Sequence, residues 1–198
     1  CILSAISNRD AAASNAIVSD DAERLILVDE HDKPVGYLSK AACHDGDGIL
    51  HRAFSLFIFN SQGQLLIQKR AAGKRLWPGF WSNSCCSHPR EGEPMEVAVT
   101  RRCEQELGFS TTLNYLYKFT YQANYQDLGS EHELCSVYVG FFAGEPDPNA
   151  TEIDAWRWAD PSELDSALAD PSEPFTPWFR LEWNRLNEEF ANALPARS

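Results

Sequence analysis

A chain of 198 residues with 43% hydrophobic content and 12% aromatics can bury one sizeable core but has no room for two full-sized domains. Its 29 acidic and 17 basic residues leave a formal charge of -12, which argues against a generic nucleic-acid or anionic-membrane surface, because a phosphate backbone demands a broad basic footprint. Any anion must then be met by a local cluster, and Lys69, Arg70, Lys74, Arg75, Arg101 and Arg102 supply such clusters.

The start, CILSAISNRDAAASNAIVSD, is mostly Ala, Ser, Asn and Asp with little to pack. Residues 1–22 are therefore expected to form a mobile tail ahead of a single domain over 23–194. The same stretch lacks a basic n-region, and no apolar run reaches the length of a membrane span, so a soluble, cytoplasmic protein without a membrane partner is expected. Cys1 fits a lipid-anchored product or, more simply, a truncated or processed chain. The six cysteines (1, 43, 85, 86, 103 and 135) lack small-scaffold spacing and read as reduced thiols.

RLILVDEHDKPVGYL predicts two strands around a polar turn that carries His31, and a solvated loop histidine is the stronger reading of that residue. ILHRAFSLFIFNSQGQLLIQKR predicts a second hairpin with NSQG at its corner. From Pro94 the pattern turns helical: Met95, Ala98, Val99, Cys103 and Leu107 share one face, proline opens the helix and Gly108 closes it. Arg102 and Glu106 lie one turn apart, either as a surface ion pair or both aimed at a site. LNYLYKFTYQANY and ELCSVYVGFFAG read as strands joined by QDLGSEH; AWRWAD, a helix from Pro161 and an amphipathic helix in FTPWFRLEWNRLNEEF follow. Strands and helices mix without a βαβ repeat, which favours an α+β layered domain.

His44 and His51 flank DGDGIL, His88 closes WSNSCCSHP, and Glu131 and Glu133 sit in SEHEL around His132. Two residues apart on a strand, the glutamates point to one face and His132 to the other. Two carboxylates with up to three imidazoles suit a divalent ion, although each piece alone is as readily a solvated strand face or a satisfied core histidine. The adjacent Cys85 and Cys86 are equally ambiguous, since most free cysteines are small buried hydrophobes and a reactive one needs access and a lowered pKa.

WPGFWSNSCCSHP, RRCEQELG, EHELCSVY and FTPWF, in this order from about Arg24 to Glu189, resemble the type I isopentenyl-diphosphate isomerases of the Nudix superfamily. The Nudix box is degenerate: Glu93, Arg101, Glu106, Gly108 and Phe109 remain, whereas Ser87, Arg102 and Gln105 replace a glycine and two glutamates. Those losses weaken a hydrolase reading, because pyrophosphate hydrolysis in that superfamily relies on helix carboxylates to hold metal.

The resemblance implies an α+β fold with a mixed β-sheet flanked by helices, an α/β/α sandwich, and conversion of isopentenyl to dimethylallyl diphosphate through a tertiary carbocation. It implies Glu133 as the acid with Tyr121 assisting, Cys86 as the base opposite and Trp178 as the wall that stabilises the cation. His44, His51, His88, Glu131 and Glu133 would bind one divalent metal, Mn2+ or Zn2+. Lys40, Arg70, Lys74 and Arg102 would bind the diphosphate, and a Mg2+ would bridge it to Glu106 and the backbone carbonyl of Cys86. The expected partner is a small-molecule diphosphate substrate, without nucleic acid, and the protein is expected to be a monomer or weak homo-oligomer. A Nudix diphosphate hydrolase and a non-catalytic metal-stabilised binding module are the rival readings.

Overall fold

The computed structural model of the chain describes residues 15–196. Cys1 and residues 1–14 of the expected tail lie outside the described residues. Within residues 15–22, the carbonyl of Ala16 accepts a hydrogen bond from Asn149, while the Val18 carbonyl and the Ser19 hydroxyl accept from Arg102.

β1 (Arg24–Val28) and β2 (Pro34–Ser39) form the expected antiparallel pair, and Asp29 closes their turn by accepting the His31 and Lys33 amides at 2.9 and 3.0 Å. A one-turn helix α1 (Lys40–Cys43), capped by the Ser39 hydroxyl, leads to the second expected hairpin, β3 (His51–Phe59) and β4 (Leu65–Arg70). Asn60 holds its corner by accepting the Gln62 and Gln64 amides. The short strands β5 (Trp81–Ser82) and β6 (Cys85–Ser87) precede α2 (Met95–Leu107). This helix begins after Pro94 and ends at Gly108, whose φ of 77° is left-handed and whose added Cβ would sit 2.5 Å from the Asp147 carbonyl oxygen.

β7 (Leu113–Tyr125) and β8 (Gly129–Phe141) form a long antiparallel pair, followed by β9 (Ile153–Ala159), α3 (Pro161–Ala169) and α4 (Pro177–Glu189). One boundary differs from expectation: Gly129 to His132, read as part of the QDLGSEH linker, belong to β8. A polar run breaks the apolar alternation by which strands are recognised, yet Ser130, Glu131 and Glu133 are buried.

The strands form one nine-stranded mixed sheet with β3 as its hub, pairing with β1, β4 and β6 antiparallel and β8 parallel. Alternate residues of β3 serve opposite cores. Phe54, Leu56 and Ile58 pack with Ala98, Val99, Cys103 and Leu107 of α2, whereas Ala53, Phe57 and Phe59 pack with Trp178, Phe179 and Trp183 of α4. Cover on both faces explains why AFSLFIF is almost unbroken in apolarity. Each large side chain buried this way contributes about 1.5–3 kcal/mol relative to exposure. A helix on either face of the mixed sheet is the layered α+β architecture expected.

Candidate active site

Strand register assembles the site. In the parallel pair β3–β8, His51 stands opposite Glu133; across the antiparallel pair β7–β8, Tyr121 stands opposite the same Glu133. β6 sets Cys86 opposite Ser55 of β3. His44 caps the C-terminus of α1, and His88 follows β6 by one residue. Residues distant in sequence thus meet on neighbouring strands.

One donor atom from each of His44, His51, His88, Glu131 and Glu133 lies within 4.8 Å of the others, and all five residues are buried. The half-exposed His132 is outside this group, as the two-residue strand repeat requires. Gly129 allows the approach: its φ is 142°, an added Cβ would lie 2.3 Å from the His44 carbonyl oxygen, and that oxygen accepts the Ser130 amide at 3.0 Å.

Tautomers test whether a metal suits this cluster. His44 Nδ1 is 2.7 Å from the Lys40 carbonyl and His51 Nδ1 is 2.6 Å from the Ile49 carbonyl, so both nitrogens carry hydrogen. In the neutral rings, each Nε2 then turns a lone pair toward the carboxylates. His44 Nε2 is 2.8 Å from Glu131 Oε2; His51 Nε2 is 3.7 Å from Glu133 Oε1 and buried without a hydrogen-bond partner. Lone pairs facing lone pairs take a proton or a metal ion between them, and this nitrogen and carboxylate set fits a divalent metal.

Burial, reinforced by His51 and His44, pushes His88 well below the usual imidazole range, which favours a neutral ligand. Burial also pulls His44 down, but the charge and hydrogen bond of Glu131 outweigh it and the net shift is upward. For Glu133, burial raises the pKa, yet the nearby His51 ring and the hydrogen bond from Tyr121 hold it below the ordinary value. Tyr121 donates its hydroxyl to Glu133 Oε2 at 2.6 Å, and burial with the Glu133 charge lifts the phenol well above its usual range.

Cys86 shares a cavity with the acid pair: its volume is about 840 Å³ and its lining includes Cys86, Tyr121, Glu133 and Trp178. Its Sγ donates to Asn83 Oδ1 at 2.8 Å, accepts the Trp178 indole N–H at 3.1 Å and lies 3.5 Å from Ser55 Oγ. Asn83 is fixed in this orientation because its amide nitrogen serves the Leu56 and Cys85 carbonyls. Burial, then the charge of Glu182, pushes the Cys86 thiol up. The residue is therefore held as a thiol in this state, whereas sequence reasoning tied its reactivity to thiolate character. Cys85 is fully buried among Phe54, Leu56 and the apolar face of α2.

Lys40, Arg70, Lys74 and Arg102 line the cationic end of the same cavity. Burial, then Arg102, lowers the pKa of Lys40; burial lowers Lys74 to about 7 against the pull of Glu106. Arg102 and Glu106 form an ion pair, as one sequence alternative has it, but a buried one rather than one on the surface. Arg70 is differently engaged: it donates to the Leu76 and Trp77 carbonyls and lies 5.3 Å over the Trp178 ring. The retained box residues Arg101 and Glu93 form a two-pronged pair at 2.6 and 2.9 Å, tying α2 to the loop that follows His88.

Sequence reasoning missed Asn83, Glu152 and Glu182, all buried. Only Glu182 carried a signal, because it falls in phase with Trp178, Phe179, Trp183 and Leu186 on the buried stripe of α4.

A NUDIX domain matches residues 49–179. The isopentenyl-diphosphate Delta-isomerase 1 of Photorhabdus laumondii is 45% identical over 163 residues, covering 81% of this chain and 93% of that one. The isopentenyl-diphosphate Delta-isomerase of Serratia proteamaculans is 46% identical over 157 residues, covering 79% and 87%. Among solved structures, DR0079 from Deinococcus radiodurans superposes with a TM-score of 0.69 at 26% identity, over 82% of this chain and 98% of its own. The MutT protein from Methanosarcina mazei, at TM-score 0.59 and 17% identity over 71% and 95%, shares the fold.

Proposed function

The chain belongs to the NUDIX-fold isopentenyl-diphosphate Delta-isomerase family and interconverts isopentenyl and dimethylallyl diphosphate, and we propose that Glu133 with Tyr121 and Cys86 move the two protons that shift the double bond. An unactivated alkene is a very weak base. Protonating it needs a strong, well-aimed acid, a base on the other face and a wall that keeps water from the cation.

The Tyr121 hydroxyl on Glu133 Oε2 fixes the direction of the carboxyl and places a proton within its reach. His44, His51, His88, Glu131 and Glu133 would hold a divalent ion, Mn2+ or Zn2+, that would sharpen the acidity of the Glu133 carboxyl, and Glu106 with the Cys86 carbonyl would hold a Mg2+ that would offset diphosphate charge. The tertiary cation then lies beside the Trp178 ring, an interaction worth about 2 kcal/mol or more when desolvated. Cys86 accepts the proton leaving C2. To do so it acts as a thiolate whose own proton has left to solvent before the substrate closes the cavity, a state that the Trp178 N–H favours and that burial and Glu182 oppose. Lys40, Lys74 and Arg102 hold the diphosphate, while Arg70, turned to carbonyls and stacked on Trp178, closes the aromatic wall.

The observation that carries this reading is a 2.6 Å Tyr121–Glu133 pair and a 3.1 Å Trp178–Cys86 pair on the lining of one cavity. Arg102 in place of a carboxylate on α2 speaks against the hydrolase alternative, because it offers a cation to phosphate where hydrolysis wants another metal ligand. The acidic charge of -12 supports a protein that works as a monomer or weak homo-oligomer without nucleic-acid or membrane partners. No described helix is long and apolar enough to cross a membrane. Cys86→Ala and Glu133→Gln should each lower isomer conversion on the order of 10³-fold or more, measured with isopentenyl diphosphate and Mg2+. Conversion at the native rate in either variant would remove that residue from its role.

A further inference from the structure

Glu152 is a buried carboxylate that the proton transfers do not use, at the cationic end of the cavity. Its loop is fastened to the end of α2, where the Asp147 and Asn149 amides donate to the Leu107 and Glu106 carbonyls at 3.0 and 2.9 Å. Its own amide donates to the Asn149 carbonyl, and its carbonyl accepts the Ala71 amide, both at 3.0 Å. From this fixed backbone its Oε2 forms an ion pair with Lys74 and lies 3.5 Å from Arg102 Nη2. Arg102 Nε, by contrast, is buried without a hydrogen-bond partner. That donor is unmet in the ligand-free protein.

We propose that Glu152 is a resident counter-anion that holds Lys74 and Arg102 in the ligand-free protein and yields them to the phosphate oxygens of the substrate, so that it limits how tightly the diphosphate is held. The proposal rests on reading this end of the cavity as the diphosphate clamp. Arg102 also pairs with Glu106, whereas the ion pair of Lys74 is with Glu152; without that carboxylate between them the two buried cations would repel each other and lose their alignment. A diphosphate carries more charge and takes both cations, after which the fixed carboxylate faces phosphate oxygens and repels them. Substrate and product carry the same diphosphate. A clamp that gripped it without this opposition would strengthen binding of both alike and delay product release without speeding the chemistry.

The test is calorimetric titration of the full chain with inorganic pyrophosphate at fixed free Mg2+, alongside steady-state kinetics. Glu152→Gln keeps the shape and removes the charge; Glu152→Asp keeps the charge but draws it back by one methylene. Pyrophosphate affinity should rise from native to Asp to Gln, reaching on the order of tenfold in the Gln variant, and KM for isopentenyl diphosphate should fall with it. A merely structural role would weaken binding instead. Equal or weaker affinity in Glu152→Gln overturns the proposal, and if that variant does not fold, equal or weaker affinity in Glu152→Asp does so. Pyrophosphate binding by the native protein that neither variant improves removes the role of Glu152 alone, whereas no binding by any of the three overturns the clamp as well.

Discussion

Glu182 sits one turn after Trp178 on α4, with 0% of its surface exposed. Its Oε1 is 3.5 Å from Cys135 Sγ and its Oε2 has no hydrogen-bond partner. Burial raises its pKa from 4.5 to about 8, against hydrogen bonds from Ser55 and Cys135 and with the charge of Glu133 adding to the rise. An acid with a raised folded pKa binds its proton more tightly in the folded state. Its contribution is complete below the unfolded value and is lost as pH climbs through the window from 4.5 to about 8. Glu182→Gln should remove up to about 5 kcal/mol of that pH dependence, read by denaturant unfolding across the window. Parallel stability curves for variant and native protein would show that the carboxyl does not titrate there. This residue was legible as an anomaly, a carboxylate in phase with an apolar stripe, but a helix read only for its apolar positions conceals it. Glu152 offered no such trace, because a loop residue between Thr151 and Ile153 has no periodic pattern to break.

Elements were legible where their side chains alternate or recur cleanly. The β1–β2 and β3–β4 hairpins and α2 with its proline start and glycine stop follow from turn and capping chemistry. The start of β8 did not, because Ser130, Glu131 and Glu133 point inward to a polar site rather than to an apolar core. Register was also illegible: nothing local to His51 or Tyr121 states that Glu133 will be the partner of both, and the matched motifs alone joined them. Gly129 is the hinge of that register. Gly129→Ala would force a side chain into a left-handed position, at about 1–3 kcal/mol, and push it onto the His44 carbonyl. The expected result is a less stable protein with less bound metal per chain, measured by unfolding and elemental analysis. Native metal content together with native stability would show that β8 does not depend on this close approach.

The five-residue cluster joins the end of α1, the start of β3, the residue after β6 and the buried face of β8, so it cross-links four separate parts of the chain. A metal there binds the folded chain and not the unfolded one, and it should stabilise the whole molecule by about 2.7 kcal/mol when free ion exceeds the dissociation constant a hundredfold. Excess chelator should therefore lower the melting temperature as well as abolish turnover, and restoring the ion should recover both. The nitrogen-rich ligand set predicts an order: Zn2+ or Mn2+ should restore stability at lower concentration than Mg2+, which prefers oxygen. Protons compete for the same imidazoles. The metal-dependent part of the stability should thus be present near neutral pH and shrink as pH falls and the histidines protonate. A melting temperature that chelator leaves unchanged at neutral pH would mean that the lone pairs of His44 and His51 are met by protons rather than by metal.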